Sequence, residues 1–169
     1  MGVFMALATL SPQLSAHKPS GSSGAPAMSL TARSAAAVVD AFHAALKRSD
    51  GLAATALLAD DVLILEAGGV ERSKAEYASQ HLPADMAFSQ AVPLTLTHRT
   101  GHATGSTAWI ASEGRVTGTY QGRKIDRITA ETMILRRIGG TWKIVHIHWS
   151  SAAKNDCCHR PFEGRRIPY

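Results

Sequence analysis

The chain has 169 residues, 45% of them hydrophobic and 18% charged, a balance that fits one ordinary globular domain and excludes a fibrous or wholly disordered protein. Its formal charge of +5 comes mostly from the two terminal segments, and no basic stripe with interleaved aromatics runs through the middle, so nucleic acid is not an expected partner. No apolar run approaches the ~20 residues needed to span a bilayer, and the adjacent Cys157 and Cys158 cannot staple the fold between themselves.

Residues 1–30 read as a flexible leader or a weak signal peptide. Val3 to Leu10 is apolar but lacks a basic region before it, Ala25-Pro26-Ala27 is a poor cleavage site, and Pro19 to Ala27 has linker composition. A soluble protein is expected, cytoplasmic or exported, with the choice open. A single domain over residues 31–152 and a polar tail over 153–169 complete the division.

From Thr31, Ala37, Val38, Ala41, Phe42, Ala45 and Leu46 recur at helical spacing, with Asp40, His43, Lys47 and Arg48 largely on the other face. Ser49-Asp50-Gly51 ends this helix, and Asp50 can cap a short second one. Val62 to Leu65 reads as a strand closed by Gly68-Gly69, with Asp60 and Asp61 bounding it. Ser73-Lys74-Ala75-Glu76 has the form of a capping box and predicts a third helix, which Pro83 interrupts, leaving Ala84 to Ser89 for one further turn. Four β-rich stretches follow: Leu94 to His102, Thr107 to Tyr120, Lys124 to Arg137 and Trp142 to Ser150. Gly-containing turns separate them, with Gln121-Gly122 and Gly139-Gly140 as hairpin turns, so they should pair antiparallel. Helices first and a meander afterwards predict an α+β domain, with N-terminal helices packed on one face of a curved antiparallel sheet.

The last strand, Trp142-Lys143-Ile144-Val145-His146-Ile147-His148-Trp149-Ser150, is the most distinctive segment. With the order of elements before it, it resembles the nuclear transport factor 2-like superfamily, especially SnoaL-like proteins and the association domain of calcium/calmodulin-dependent kinase. The resemblance spans about Ser34 to Ser151. It implies a strongly curved, cone-shaped sheet closed at one end by helices, a cavity between them, and a homodimer formed through the outer sheet face. It also implies that Trp149, Met133 and Glu113 occupy positions where the kinase association domain carries cavity cations. Lacking those cations, a cavity bounded by Trp149, Met133, Trp109, Ala111 and Glu113 would suit a small, neutral or cationic, mostly apolar ligand.

Several side chains carry chemistry. Glu113 and Glu131 lie within largely apolar or small-residue strands, where burial would push a carboxyl toward the general acid or base range; an ion pair with Arg115 or Arg127, or plain exposure, is the alternative. Arg127 is also a candidate pocket or interface residue. His146 and His148 point the same way from one strand, toward hydrogen bonds in the sheet, a dimer interface or the pocket; no third ligand is spaced to make a metal site with them. Tyr77, Trp109 and Trp149 offer aromatic area for core or ligand, and Tyr77 stands out because isomerases of this superfamily use a Tyr and an Asp, although no Asp here is matched to that role. The readings left open are a ligand-binding domain, a cofactor-independent isomerase, cyclase or dehydratase using Glu113, Glu131 and Tyr77, and a dimerisation or docking module.

Overall fold

A computed structural model describes residues 28–154. The leader as far as residue 27 and the tail from residue 155, with Cys157 and Cys158, lie outside the described residues. Helix α1 (Leu30–Lys47) and helix α2 (Gly51–Ala56) come first, followed by β1 (Leu58–Glu66) and β2 (Gly69–Glu71). Then come α3 (Lys74–Gln80), α4 (Leu82–Ala91), β3 (Leu94–Thr104), β4 (Thr107–Tyr120), β5 (Arg123–Ile138) and β6 (Thr141–Ala153).

Local chemistry accounts for most boundaries. Ser29 caps α1 by accepting the Ala32 N–H at 3.2 Å, and Asp50 caps α2 by accepting that of Ala53 at 2.9 Å. At α3 the Ser73 hydroxyl accepts the Glu76 N–H, while the Glu76 carboxylate reaches back one residue further than the simple box, to the Arg72 N–H at 2.7 Å. Pro83 does not break the following segment. It stands in the first turn of α4, where its missing N–H leaves no hydrogen bond unmade, so α4 runs for ten residues rather than one turn. Gln121-Gly122 and Gly139-Gly140 both turn with positive φ at each position, as two-residue hairpins require.

The sheet corrects the expected architecture. Its order is β2-β1-β6-β5-β4-β3. Among the described residues the sheet is open, with β2 and β3 at its edges, and the expected strongly curved cone does not form. Nor is it wholly antiparallel, because β1 runs parallel to β6. The reason lies in the connection: α3 and α4 carry the chain to the far edge, and the β3-to-β6 meander then returns to β1 from the other side. Two further elements escape local reading. β1 starts at Leu58, enclosing Asp60 and Asp61, which pair with Lys74 and Arg136. β2 is a three-residue return from a turn at Ala67-Gly68.

Simple alternation also fails within β6. Leu135 pairs with Ile144 but Ile134 with His146, leaving Val145 as an extra residue in a bulge. Trp142 and Ile144 therefore share the inward face with Ile147 and Trp149. They join Phe42, Ile110, Met133 and Leu135 in one core beneath α1, where each fully buried large side chain contributes roughly 1.5–3 kcal/mol.

The end of α4 presses on the sheet at Gly118, where an added Cβ would stand 2.7 Å from the Ala91 carbonyl oxygen and 3.2 Å from the Val92 Cα. Both are backbone atoms that cannot swing aside. Gly118→Ala is expected to cost about 1–3 kcal/mol, read as a lower urea midpoint; an unchanged midpoint would show that α4 is not seated on β4 as described.

Candidate functional site

A cavity of about 330 Å³ lies between the helices and the sheet. Its walls come from α1 (His43, Lys47), α4 (Asp85, Phe88), β3 (Leu94, Leu96), β4 (Ser112), β5 (Arg127, Glu131) and β6 (Trp149). Beside it is a smaller hollow of about 140 Å³, and Glu66, Asp85 and Trp149 line both.

Glu131 is the focal group of the larger cavity. It sits in mid-β5 on the core face and is only 8% exposed. His43 Nε2 lies 2.6 Å from its Oε2, and the same oxygen accepts the Trp149 indole N–H at 2.8 Å. Oε1 has no partner among the described residues. Burial pushes the carboxyl up, but hydrogen bonding and charge from His43, then the Trp149 and Ser112 donors, together outweigh it and hold the group below its ordinary value. An ionised carboxylate only accepts, so the bridging hydrogen belongs to His43 Nε2, and Nδ1 is the ring nitrogen turned away from Glu131. The Phe42 ring stacks on Trp149 at 6.4 Å, fixing the indole that donates to Glu131.

The smaller hollow is acidic. Glu66, Glu71 and Asp85 line it with Tyr77 and His81. The fully buried Tyr77 donates its hydroxyl to Asp85 Oδ2 at 2.8 Å, and His81 Nδ1 pairs with the buried Glu71. Burial raises Asp85 despite the Tyr77 bond, and burial followed by the charges of Asp85 and Glu71 raises Glu66. The Tyr77 phenol is driven far up by burial and by Asp85.

Of the residues singled out in the sequence, Glu131, Glu113, Arg127 and Trp149 line the larger cavity, and Tyr77 lines the hollow beside it. Glu113 does so from the exposed set of β4. The ion pairs considered for Glu113 and Glu131 do not form among the described residues. Arg115 is bound in a fork to Asp126 at 2.7 and 2.6 Å, and Arg127 donates to Ser151. Met133 is fully buried in the core instead, and Trp109 is 42% exposed on the opposite sheet face. His146 and His148 share that outer face, and no group of three or more metal-ligating side chains converges among the described residues.

His43 and Asp85 are the residues that reading the sequence missed. His43 lies at the border of the apolar stripe of α1, next to Phe42, and the sheet extends past that stripe to meet it. Asp85 falls in the first turn of α4, eight residues beyond Tyr77 across the α3–α4 joint. Recognising Pro83 as a helix-starting residue was the available signal.

A family model described as a SnoaL-like domain matches residues 35–154. The chain belongs to this family. Its sheet and helices superpose on a candidate ketosteroid isomerase from Shewanella frigidimarina NCIMB 400 with a TM-score of 0.67 and 40% identity, covering 69% of this chain and 94% of that one. A candidate dehydratase of the NTF2-like family from Streptomyces avermitilis is similar in fold (TM-score 0.61, 19% identity, 71% and 95% covered). So is a candidate calcium/calmodulin-dependent protein kinase II association domain from Xanthomonas campestris (TM-score 0.60, 23% identity, 72% and 88% covered). No protein of curated function matches the chain. No helix among the described residues is long and apolar enough to cross a membrane.

The carboxyl groups give stability a two-sided pH dependence. Glu131, depressed in the folded state, adds stability that is present above its unfolded value and lost as pH falls through the folded one. Asp85 and Glu66, raised, add stability that is present in acid and lost as pH rises through their folded values. The thermal midpoint should therefore peak in mild acid. Asp85→Asn should flatten the decline toward neutrality and Glu131→Gln the decline into acid. Midpoint-against-pH curves parallel to that of the unaltered protein in both variants would contradict these assignments.

Proposed function

We propose that the domain binds a small, mostly apolar molecule in its cavity and moves a proton within it without a cofactor, in an isomerisation, cyclisation or dehydration. The observation that carries this reading is a buried carboxylate hydrogen-bonded to a histidine in the cavity wall. The volume is in the range of small-molecule sites, which begins at about 300 Å³. Leu94, Leu96, Phe88 and Val92 supply apolar wall, and acidic lining groups outnumber Lys47 and Arg127. A neutral or cationic ligand fits that balance better than an anion. The Shewanella relative, described as a candidate ketosteroid isomerase, supports the same class of chemistry.

The roles follow from hydrogen-bond inventory. With Nε2–H committed to Glu131, His43 presents Nδ1 as a base, or as an acid once protonated; Glu131 fixes the tautomer and steadies the imidazolium formed. Tyr77 has one hydrogen and gives it to Asp85, so it is not the direct donor to a ligand oxygen. That duty passes to Asp85 or Glu66, carboxyls whose raised values favour keeping a proton. Trp149, common to both spaces, offers a flat apolar wall.

A thermal-shift screen of enone steroids, polyketide-like aromatics and small amines, followed by a turnover assay on each stabilising compound, tests this reading. His43→Gln should lower kcat by about 10²–10⁴-fold while the compound still stabilises the variant, and Glu131→Gln should act in the same direction. Turnover undiminished in His43→Gln would remove proton transfer from the proposal; no stabilisation by any class would remove the ligand.

A separate observation favours self-association. His102, Trp109, Ile134, His146 and Leu63 form one row across the outer face of β3, β4, β5, β6 and β1. Trp109 and Leu63 in it are 42% and 37% exposed. A homodimer would cover this row. Light scattering should then give twice the chain mass, reduced to one by Trp109→Glu; a monomer before substitution would end this reading.

A further inference from the structure

Arg99 of β3 is not part of the cavity lining, yet its side chain is only 11% exposed. Its guanidinium joins two elements. Nη1 donates to Asp40 Oδ1 on α1 at 2.5 Å, and Nε donates to Ser112 Oγ on β4 at 3.1 Å.

A guanidinium has donors and no acceptor, so Ser112 can only accept from it and retains its own hydrogen to give. Ser112 is buried and stands directly opposite Glu131 in the β4–β5 ladder. On Glu131, Oε2 already receives two hydrogen bonds and Oε1 none. Asp40, the other partner of Arg99, precedes His43 by three residues and so flanks it on the same side of α1. Two of the ties of α1 to the sheet, Asp40–Arg99 and His43–Glu131, therefore lie one turn apart, and Ser112, bonded to Arg99 and opposite Glu131, stands between them.

The geometry points to Arg99 as a positioning residue for the His43–Glu131 pair: it occupies the acceptor side of Ser112, turns that hydroxyl hydrogen toward Glu131, and pins the turn of α1 that carries His43. This rests on the proton-transfer reading above for its functional meaning, but the arrangement itself requires no ligand. The other charged groups that line the same cavity as Glu131 are Lys47 from α1, Glu66 from β1, Asp85 from α4, Glu113 from β4 and Arg127 from β5. None of them touches Ser112 through a side-chain hydrogen bond among the described residues.

The test is a pH titration of the Glu131 side-chain carboxyl carbon by NMR in the full chain without ligand. Ser112→Ala should move the titration upward by about half a unit. Arg99→Gln should move it in the same direction, although Arg99 does not touch Glu131. Arg99→Lys keeps the charge but loses the Nε donor, so it too should move the titration, and it serves alone if Arg99→Gln does not fold. Combined with Ser112→Ala, either Arg99 change should add less than it does alone, since the part of its effect that runs through the hydroxyl is already lost. A titration unmoved by Ser112→Ala, an Arg99→Lys variant identical to the unaltered protein, or fully additive shifts would each overturn the proposal. Failure here leaves the ligand screen and the His43→Gln result to stand or fall separately.

Discussion

A charged carboxylate sunk between a helix and a sheet is the constraint on which this structure turns. Removing Glu131 from water is costly unless its oxygens find donors, and the donors come from elements distant in sequence. His43 belongs to α1 and Trp149 to β6, while Glu131 itself is on β5, opposite Ser112 of β4. All four must be in register before the charge is compensated. A one-residue slip of β5 would send Glu131 to the outer face and bring Ala130 or Thr132 inward in its place. The same group thus locks the register of the sheet, seats α1 on it and shapes the wall of the cavity.

Pulling against that arrangement is the neighbouring hollow, where carboxyls crowd together with little cationic relief. Burial displaces Glu66 and Asp85 upward, with Asp85 and Glu71 adding to the shift of Glu66 and Glu71 to that of Asp85, whereas Glu131 is displaced downward by its donors. Two adjoining spaces therefore contain carboxyls whose environments drive them apart. On the proposed function, divergence of this kind would separate acid from base roles among groups of the same chemical type, and it arises here from who donates to whom rather than from depth of burial. All three are partly or largely withdrawn from water.

What was legible in the sequence is what local rules decide. The apolar stripe of α1, the caps at Asp50 and Ser73, and the hairpin turns at Gln121-Gly122 and Gly139-Gly140 depend on residues within a few positions of one another. The parallel pairing of β1 with β6 does not, since it joins segments some eighty residues apart and follows from the path of the whole meander. Val145 shows a subtler loss. The alternation written in Trp142 to Ser150 is regular, and a single bulged residue shifts half of it to the other face. The same limit applies to the site. Glu131 and Trp149 were visible as a charge and a large aromatic in β-rich segments, while His43 looked like a solvent-facing helix residue. Its partner is eighty-eight positions away, and nothing near it in sequence announces the contact.

That separation bears on how the site is built. The polar groups nearest the cavity are held by rigid elements: His43 on a helix of eighteen residues, Glu131 and Ser112 on the two longest strands, Trp149 on a third. Asp85 and Tyr77 instead sit on two shorter helices joined at His81, outside the strand ladder. A catalytic pair needs fixed geometry, and groups carried on strands and long helices hold it better than groups on short connecting ones. On the proposed function, the sheet side of the cavity would therefore hold the proton-moving pair, and the α3–α4 side would accommodate differences between ligands without disturbing His43 and Glu131.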